Sequence, residues 1–359
     1  MTLERPARRR FIHISAVFGG AAVLTGLGGL QRCIAAYPSM KTHTWTGIAL
    51  GADASLQISH PDAAAADTLI ERCIAEVDRL EGLFSLYRDD SALTILNRQG
   101  FLNEPASDFL TLLGRSKEFS RLTNGMFDVT VQPLWQAYAN HFTALGNDAQ
   151  VRRPDERNDW PAKDTALAMP SSVQHEIREA LKLVDWRKLN IEPQQIRLQQ
   201  ANMAITLNGI AQGYITDRIV QLLAANGVDH ALINMGEIYG LNPDPASTPW
   251  HVGIENAQQP GSAGKRIPIH NQAIATSGAY GTPFTPDLRH NHLLDPRLGT
   301  SSHRYHSVTV VAQDATTADA LSTAFSLMPE ADIKILTREL DIKTYIHALD
   351  DSEIREVQI

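Results

Sequence analysis

A chain of 359 residues is long enough to bury a sizeable core and too long for a small module stapled by disulfides or metal. Residues of the AVILMFWYC set make up 43% and charged residues 20%, ordinary globular values that exclude wholesale disorder and collagen-like repeats. The net charge of −8 argues against a nucleic-acid binder working through bulk positive charge, and two cysteines, Cys33 and Cys73, cannot build a disulfide framework or a thiolate zinc site.

The chain opens with a basic head of Arg5, Arg8, Arg9 and Arg10, an apolar Gly/Ala-rich stretch from Ile14 to Leu30, and the small residues Ala35-Ala36. This is the layout of an export signal over residues 1–36, too short and Gly-rich for a membrane span. Arg8-Arg9-Arg10-Phe11-Ile12-His13 follows the twin-arginine pattern, a route that carries folded proteins; an ordinary Sec signal with extra arginines is the alternative. Without residues 1–36 the chain loses five arginines and one glutamate, which takes the net charge from −8 to about −12. Cys73 then stays as a single thiol on an apolar helix face, more suited to packing than to chemistry.

Trp45–Ser59 alternates loosely and reads as a strand ended by His60-Pro61. Asp62 opens a helix whose apolar face is Ile70, Cys73, Ile74, Val77, Leu80, Leu83 and Phe84. A second helix runs from Ser107 to Leu122, stopped by Asn124-Gly125, and Phe127 to Leu134 is short and β-like. Residues 139–172, rich in Asn, Asp, Arg and Pro, read as a long surface excursion. A helix over Val173–Leu183, a hairpin of Leu189–Ile191 and Ile196–Leu198, and a helix over Ile210–Ala225 follow. Ala231–Met235, His251–Glu255, Ile267–Ile269 and Ser307–Ala312 read as strands, and Thr317–Leu327 as a helix. Strands and helices mix without regular βαβ alternation. The expectation for residues 37–359 is therefore one α+β domain with a mixed or antiparallel sheet and packed helices, not a doubly wound Rossmann fold.

Four segments carry more glycine, small residues and functional side chains than packing requires. Thr206-Leu207-Asn208-Gly209-Ile210-Ala211-Gln212-Gly213-Tyr214 enters a helix, where small residues let a phosphate or metal approach free N–H groups; a plain loop-to-helix junction has the same look. Asn234-Met235-Gly236-Glu237 places a carboxylate just past a strand end, a common ligand position, although a tight turn with a solvated Glu fits equally. Ala275-Thr276-Ser277-Gly278-Ala279-Tyr280 suits backbone approach to a nucleotide. After it, His292 stands near Asp295-Pro296-Arg297-Leu298-Gly299, where His292 can act as a general base and Asp295 can orient it or a loop. In Thr317-Ala318-Asp319-Ala320-Leu321-Ser322-Thr323, Asp319 and Thr323 are i and i+4 and share a helix face, a hard-oxygen pair suited to Mg²⁺; a helix-start charge and a buried hydroxyl are the bland alternative.

Taken in order, these segments resemble the FAD:protein FMN transferase family, once called thiamine-biosynthesis lipoproteins, from about Trp45 to the C-terminus. Further matching pieces are Tyr87-Arg88-x-Asp90-Ser91 with Leu96-Asn97, Thr123-x-Gly125-x-Phe127-Asp128 with Pro133-Leu134, Gly213-Tyr214 with Asp217-Arg218, and Ser307-Val308-Thr309-Val310. The resemblance implies an exported periplasmic enzyme that splits FAD, releases AMP and joins FMN to a Thr or Ser hydroxyl of a target protein. It implies Asp319 and Thr323 as Mg²⁺ side-chain ligands, with a backbone carbonyl from the turn at Gly209 to Ala211. It implies His292 as the group that deprotonates the acceptor. Tyr87 would contact the flavin ring, and Asp128, Gly213, Glu237, Thr276, Ser277, Gly278 and Asp295 would complete the nucleotide site. Departures from the family pattern are Leu50-Gly51-Ala52, Thr206, Gln212, Met235 and Ala279. The signal and the Leu50-Gly51-Ala52 variant are similar to a subgroup that accompanies nitrous oxide respiration, with a membrane flavoprotein as acceptor and the twin-arginine translocase as export partner. A non-catalytic periplasmic flavin-binding maturation factor and an FAD pyrophosphatase are the competing functions.

Overall fold

The computed structural model describes residues 40–148, 169–242, 244, 246–256, 263–349 and 351–358. The expected export signal at residues 1–36 lies outside them. The chain enters through a hairpin, β1 (Lys41–Ala49) and β2 (Ala52–His60). The sequence reading made one strand of this stretch. Leu50 and Gly51 take φ of 45° and 78°, the left-handed pair that turns two strands tightly.

Asp62 caps α1 (Ala63–Phe84), its carboxylate accepting from the amides of Ala64 and Ala65. The buried stripe of α1 is Ala66, Leu69, Ile70, Cys73, Val77, Leu80 and Phe84; Ile74, expected on it, is exposed. Burial pushes the Cys73 thiol up to about 12, so it stays a protonated packing group. α2 (Ala92–Gln99), capped by Ser91, leads through β3 (Phe101–Asn103) to α3 (Ser107–Leu122). Asn124 and Gly125, at φ of 50° and 81°, end α3 as expected.

Phe127–Leu134 is not a strand. Asp128 caps a 3₁₀ turn over Val129–Val131, and Pro133 sits in the first turn of α4 (Gln132–Asp148), where a missing N–H costs nothing. Residues 139–148 of the expected excursion are thus helical, and residues 171–172 open α5 (Ser171–Leu181); residues 149–168 lie outside the described residues. The hairpin of β4 (Leu189–Glu192) and β5 (Gln195–Leu198) forms as expected and pairs with β3. The rest of the chain gives α6 (Ala211–Ala225), β6 (Ala231–Asn234), β7 (Ile238–Leu241), β8 (Trp250–Glu255), β9 (Ala263–Ile269), β10 (Gln272–Gly278) and β11 (Tyr305–Ala312). It closes with α7 (Ala315–Phe325), α8 (Glu330–Glu339), β12 (Lys343–Ala348) and β13 (Arg355–Glu356).

The main sheet has eight strands in the order β1-β2-β6-β7-β10-β11-β12-β13, and every pairing in it is antiparallel. The α+β class is as expected, and no doubly wound parallel sheet is formed. The two faces of β10 explain the layering. Ala273 and Ala275 face the helical core, and their small side chains let α7 approach the strand closely; Ile274 faces the opposite layer, the β8–β9 hairpin with Val252, Ile254, Ile267 and Ile269. No helix among the described residues is long and apolar enough to cross a membrane.

Candidate active site

The site is built where α6 crosses α7. Asp314 caps α7, accepting from the Thr317 amide at 2.8 Å. Asp217 of α6 reaches the same helix start, accepting from the amides of Ala315 at 2.7 Å and Thr316 at 2.9 Å and from the Thr316 hydroxyl. Orphan N–H groups at a helix N-terminus favour a carboxylate, so this contact locks the two helices in register. Gly213 is the contact point. A Cβ there would lie 2.3 Å from the Ala315 carbonyl oxygen and 2.9 Å from the Asp319 Cβ. The close approach lets the Gly213 amide donate to Asp319 Oδ2 at 3.0 Å.

One helical turn further on, Thr323 stands beside Gly209, where an added Cβ would fall 2.9 Å from Thr323 Oγ1. Ser277, at the end of β10, adds its hydroxyl 3.4 Å from Thr323 Oγ1 and 2.8 Å from Ser322 Oγ. The turn before α6 is fixed from outside: Asn97 clasps Ile205 through both its amide and carbonyl, at 2.7 and 2.8 Å, and the Thr206 amide donates to Val129 O at 2.8 Å.

These elements wall one cleft, with about 1100 Å³ of space including the open solvent at its mouth. It brings together Asp128, Gly209, Glu237, Thr276, Ser277, Gly278, His292, Asp319 and Thr323, nine of the residues singled out in the sequence. Four others are placed differently. Tyr87 is 56% exposed and outside the lining. Gly213 and Ala211 are buried behind the cleft, Gly213 as the helix contact. Asp295 caps its own loop, accepting from the amides of Arg297 and Leu298 at 2.8 and 3.1 Å, and so shapes the chain after His292.

Asp128 lines the cleft, yet its oxygens are committed to the protein. Oδ1 accepts from the Thr130 amide and hydroxyl at 2.8 and 2.6 Å, and Oδ2 from the Trp186 amide at 3.1 Å. Burial nevertheless pushes its carboxyl up to about 6, and Asp217 likewise. An acid whose pKa rises on folding binds its proton more tightly in the fold, so its stabilising contribution is present below about pH 4 and lost as pH rises through 6. We expect the melting temperature to fall between about pH 4 and 6, and Asp128→Asn to flatten that fall. Calorimetry across this range checks it, and an unchanged slope would remove Asp128 from the account.

Among the described residues, the lining contains Asp128, Glu237 and Asp319 but no lysine or arginine. A pyrophosphate entering such a cleft needs a cation, and the donors at its base are a carboxylate, a hydroxyl and backbone, the hard-oxygen set that suits Mg²⁺. Among the described residues, no group of three or more His, Cys, Asp and Glu side chains is arranged to hold a metal, which leaves this mixed set as the fitting one. Sequence reasoning did not select Gln212 as a site residue. It is 2% exposed, lines the cleft, and has an Nε2 without a hydrogen-bond partner among the described residues. A buried donor of this kind suits an acceptor brought by a ligand. Gly236, at φ 103°, makes room for it; a Cβ there would meet Nε2 at 2.2 Å.

Comparison with known proteins shows the family and the fold. The profile of the ApbE family matches residues 50–346. An FAD:protein FMN transferase of Treponema pallidum is 28% identical over 317 residues, covering 82% of this chain and 80% of that protein. One of Vibrio cholerae is 30% identical over 278 residues, covering 75% of each. The solved structure of the flavin transferase ApbE from Vibrio cholerae superposes with a TM-score of 0.70 at 24% identity, over 88% of this chain and 96% of that one, and so shares the fold. A profile match over most of the chain, with relatives aligned across most of both lengths, places it: the chain belongs to the ApbE family.

Proposed function

We propose that this protein is an FAD:protein FMN transferase that moves FMN from FAD to a Thr or Ser hydroxyl of a target protein and releases AMP. The observation that carries the reading is that Asp319, Thr323, Gly209, Ser277 and His292 line one cleft. Asp319, Thr323 and a carbonyl of the Gly209–Ala211 turn would hold Mg²⁺. When bound there, the ion supplies neutralisation of the pyrophosphate oxygens and polarisation of phosphorus.

The remaining work falls to the chain. Gln212 Nε2 donates to an acceptor atom of the nucleotide. Gly278, without a side chain, leaves room for the Tyr280 ring, whose Cε1 would lie 2.5 Å from an added Cβ. The acceptor hydroxyl attacks the FMN phosphorus, an oxygen–phosphorus bond forms, the bond to the AMP phosphate breaks, and AMP leaves with the bonding electrons. His292 takes the hydroxyl proton. Its Nδ1 is buried, so Nε2 is the nitrogen within reach of the acceptor. Holding acceptor and phosphorus in line supplies much of the rate.

The test is a denaturing gel of the mature protein with FAD, Mg²⁺ and a Thr-containing flavinylation domain. The reading expects fluorescence on the acceptor band, abolished by EDTA; FAD binding with no labelling, where a sister enzyme labels the same acceptor, would contradict it. His292→Ala is expected to lower the saturated transfer rate about 10²- to 10⁴-fold with FAD affinity within about twofold. A loss of affinity without loss of rate would make His292 a binding residue. We also propose export through the twin-arginine route to the periplasm, with a membrane flavoprotein of nitrous oxide respiration as acceptor. Arg8→Lys with Arg9→Lys should then trap precursor in the cytoplasm, whereas normal export would indicate Sec.

A further inference from the structure

The loop that presents His292 runs from Thr282 to Ser302 outside the main sheet, held by scattered backbone hydrogen bonds such as the Phe284 amide to His290 O and the Ser302 amide to Leu293 O. Isolated bridges join Pro283 to Asn291 and Leu294 to Ser301, and the His292 amide donates to Thr282 O at 3.1 Å. Irregular backbone of this kind does not hold a side chain to a fraction of an ångström unless something else fixes it.

Asn291 and Gly281 supply that restraint. Asn291 is fully buried. Its Nδ2 donates to Leu288 O and Ser302 O, both at 3.0 Å, and its Oδ1 accepts from the Leu293 amide at 2.9 Å. Its own amide and carbonyl both engage the Ser301 hydroxyl, at 3.0 and 2.9 Å. One side chain thus ties the residue after His292 to carbonyls on either side of the loop. Two carbonyls face the NH₂ and one N–H faces the oxygen, so only an amide side chain satisfies all three. Gly281 lies against the Cε1–Nε2 edge of the ring. A Cβ there would stand 3.3 Å from His292 Cε1 and 3.8 Å from Nε2, closer to Cε1 than side chains ordinarily pack.

We infer that Asn291 and Gly281 are positioning residues that fix the His292 imidazole in the cleft, Asn291 by clamping the backbone on both sides of it and Gly281 by setting how far the Cε1–Nε2 edge of the ring can swing. This rests on the reading of His292 as the base, so the experiment separates the two. Neither residue touches the reacting atoms. A methyl group at 281 displaces the ring by a few tenths of an ångström, while misplacement by about 1 Å costs on the order of 10²-fold in rate.

The experiment compares wild type, Gly281→Ala, Asn291→Ala and His292→Ala as the full mature protein. The Cε1–H resonance of His292, assigned by its absence from His292→Ala, is followed through a pH titration without FAD or metal, beside transfer kinetics and thermal melting. In Gly281→Ala we expect this resonance and its titration midpoint to move while the other histidines stay in place. We expect kcat to fall about tenfold with KM for FAD unchanged. In the His292→Ala background, Gly281→Ala should have no further effect on rate. An unmoved resonance, or a rate loss that persists in full without His292, overturns the inference. Should His292→Ala transfer at full rate, the base assignment falls, while the resonance still decides the positioning. Asn291→Ala loses three buried hydrogen bonds; if it fails to fold, Gly281→Ala carries the test alone.

Discussion

Asp319→Ala is expected to lower flavin transfer by about 10³-fold or more, the rate equivalent of roughly 4 kcal/mol of transition-state stabilisation. Among the described residues the cleft lining offers no lysine or arginine, so on this account the bound cation carries most of the charge compensation of a pyrophosphate. The same carboxylate accepts from the Gly213 amide at 3.0 Å, and its removal leaves that buried N–H unpaired at a cost of about 1–3 kcal/mol. Asp319→Asn separates the two effects. The amide oxygen can still accept from Gly213 while the charge is lost, so we expect near-native melting with transfer still strongly reduced. Thr323→Ala should cost less, since water can replace a neutral hydroxyl at a metal. Initial rates against Mg²⁺ concentration check both; Mg²⁺-dependent turnover of Asp319→Ala at the native rate would refute the assignment.

Gly213→Ala is expected to be strongly damaging to both stability and transfer. Its Cβ would meet the backbone of Ala315 at 2.3 and 2.6 Å, and backbone cannot swing aside as a long side chain can. The helices α6 and α7 must separate, at about 3 kcal/mol for overpacking of this severity, which lowers the melting temperature by roughly 5 °C or more. Separation also withdraws the Asp217 carboxylate from the start of α7 and the Asp319 carboxylate from the Gly213 amide. Transfer should therefore fail even where the variant remains folded. Calorimetry with transfer assays on the same preparation checks this; a native melt would mean the crossing has slack that the distances do not show.

Much of the cleft was legible in the sequence because its residues break the packing pattern around them. Gly209, Glu237, Thr276, Ser277, Gly278, His292, Asp319 and Thr323 sit in short runs of small or polar residues at helix starts and strand ends, where packing alone does not ask for them, and all line the cleft. Residues whose work is clearance or capping carried the wrong signal. Gly213 and Asp295 look like site residues in a motif, yet one admits a neighbouring helix and the other caps a loop. Gln212 was visible only as a departure from a family pattern, and its meaning depends on a buried Nε2 that sequence cannot show.

Fold errors had the same local origin. Leu50-Gly51 lacks the Asn or Asp that usually marks a tight hairpin, so two strands read as one. The β-branched run at Val129–Val131 hid a helix start that Pro133 in the first turn signals. α8 went unread although Glu330 and Asp332 occupy its first turn, the charge pattern a helix N-terminus favours. The α+β class survived because it depends on the order of strands and helices rather than on any one boundary.

The central claim is that the cleft delivers FMN to a protein hydroxyl and not to water. The direct measurement is the ratio of AMP released to FMN bound, by chromatography and intact-protein mass of the acceptor in one reaction. The account predicts one AMP per flavinylated acceptor, no free FMN, and neither product when the acceptor Thr is replaced by Val. AMP and free FMN appearing at the full rate without acceptor would contradict it and make the protein an FAD pyrophosphatase.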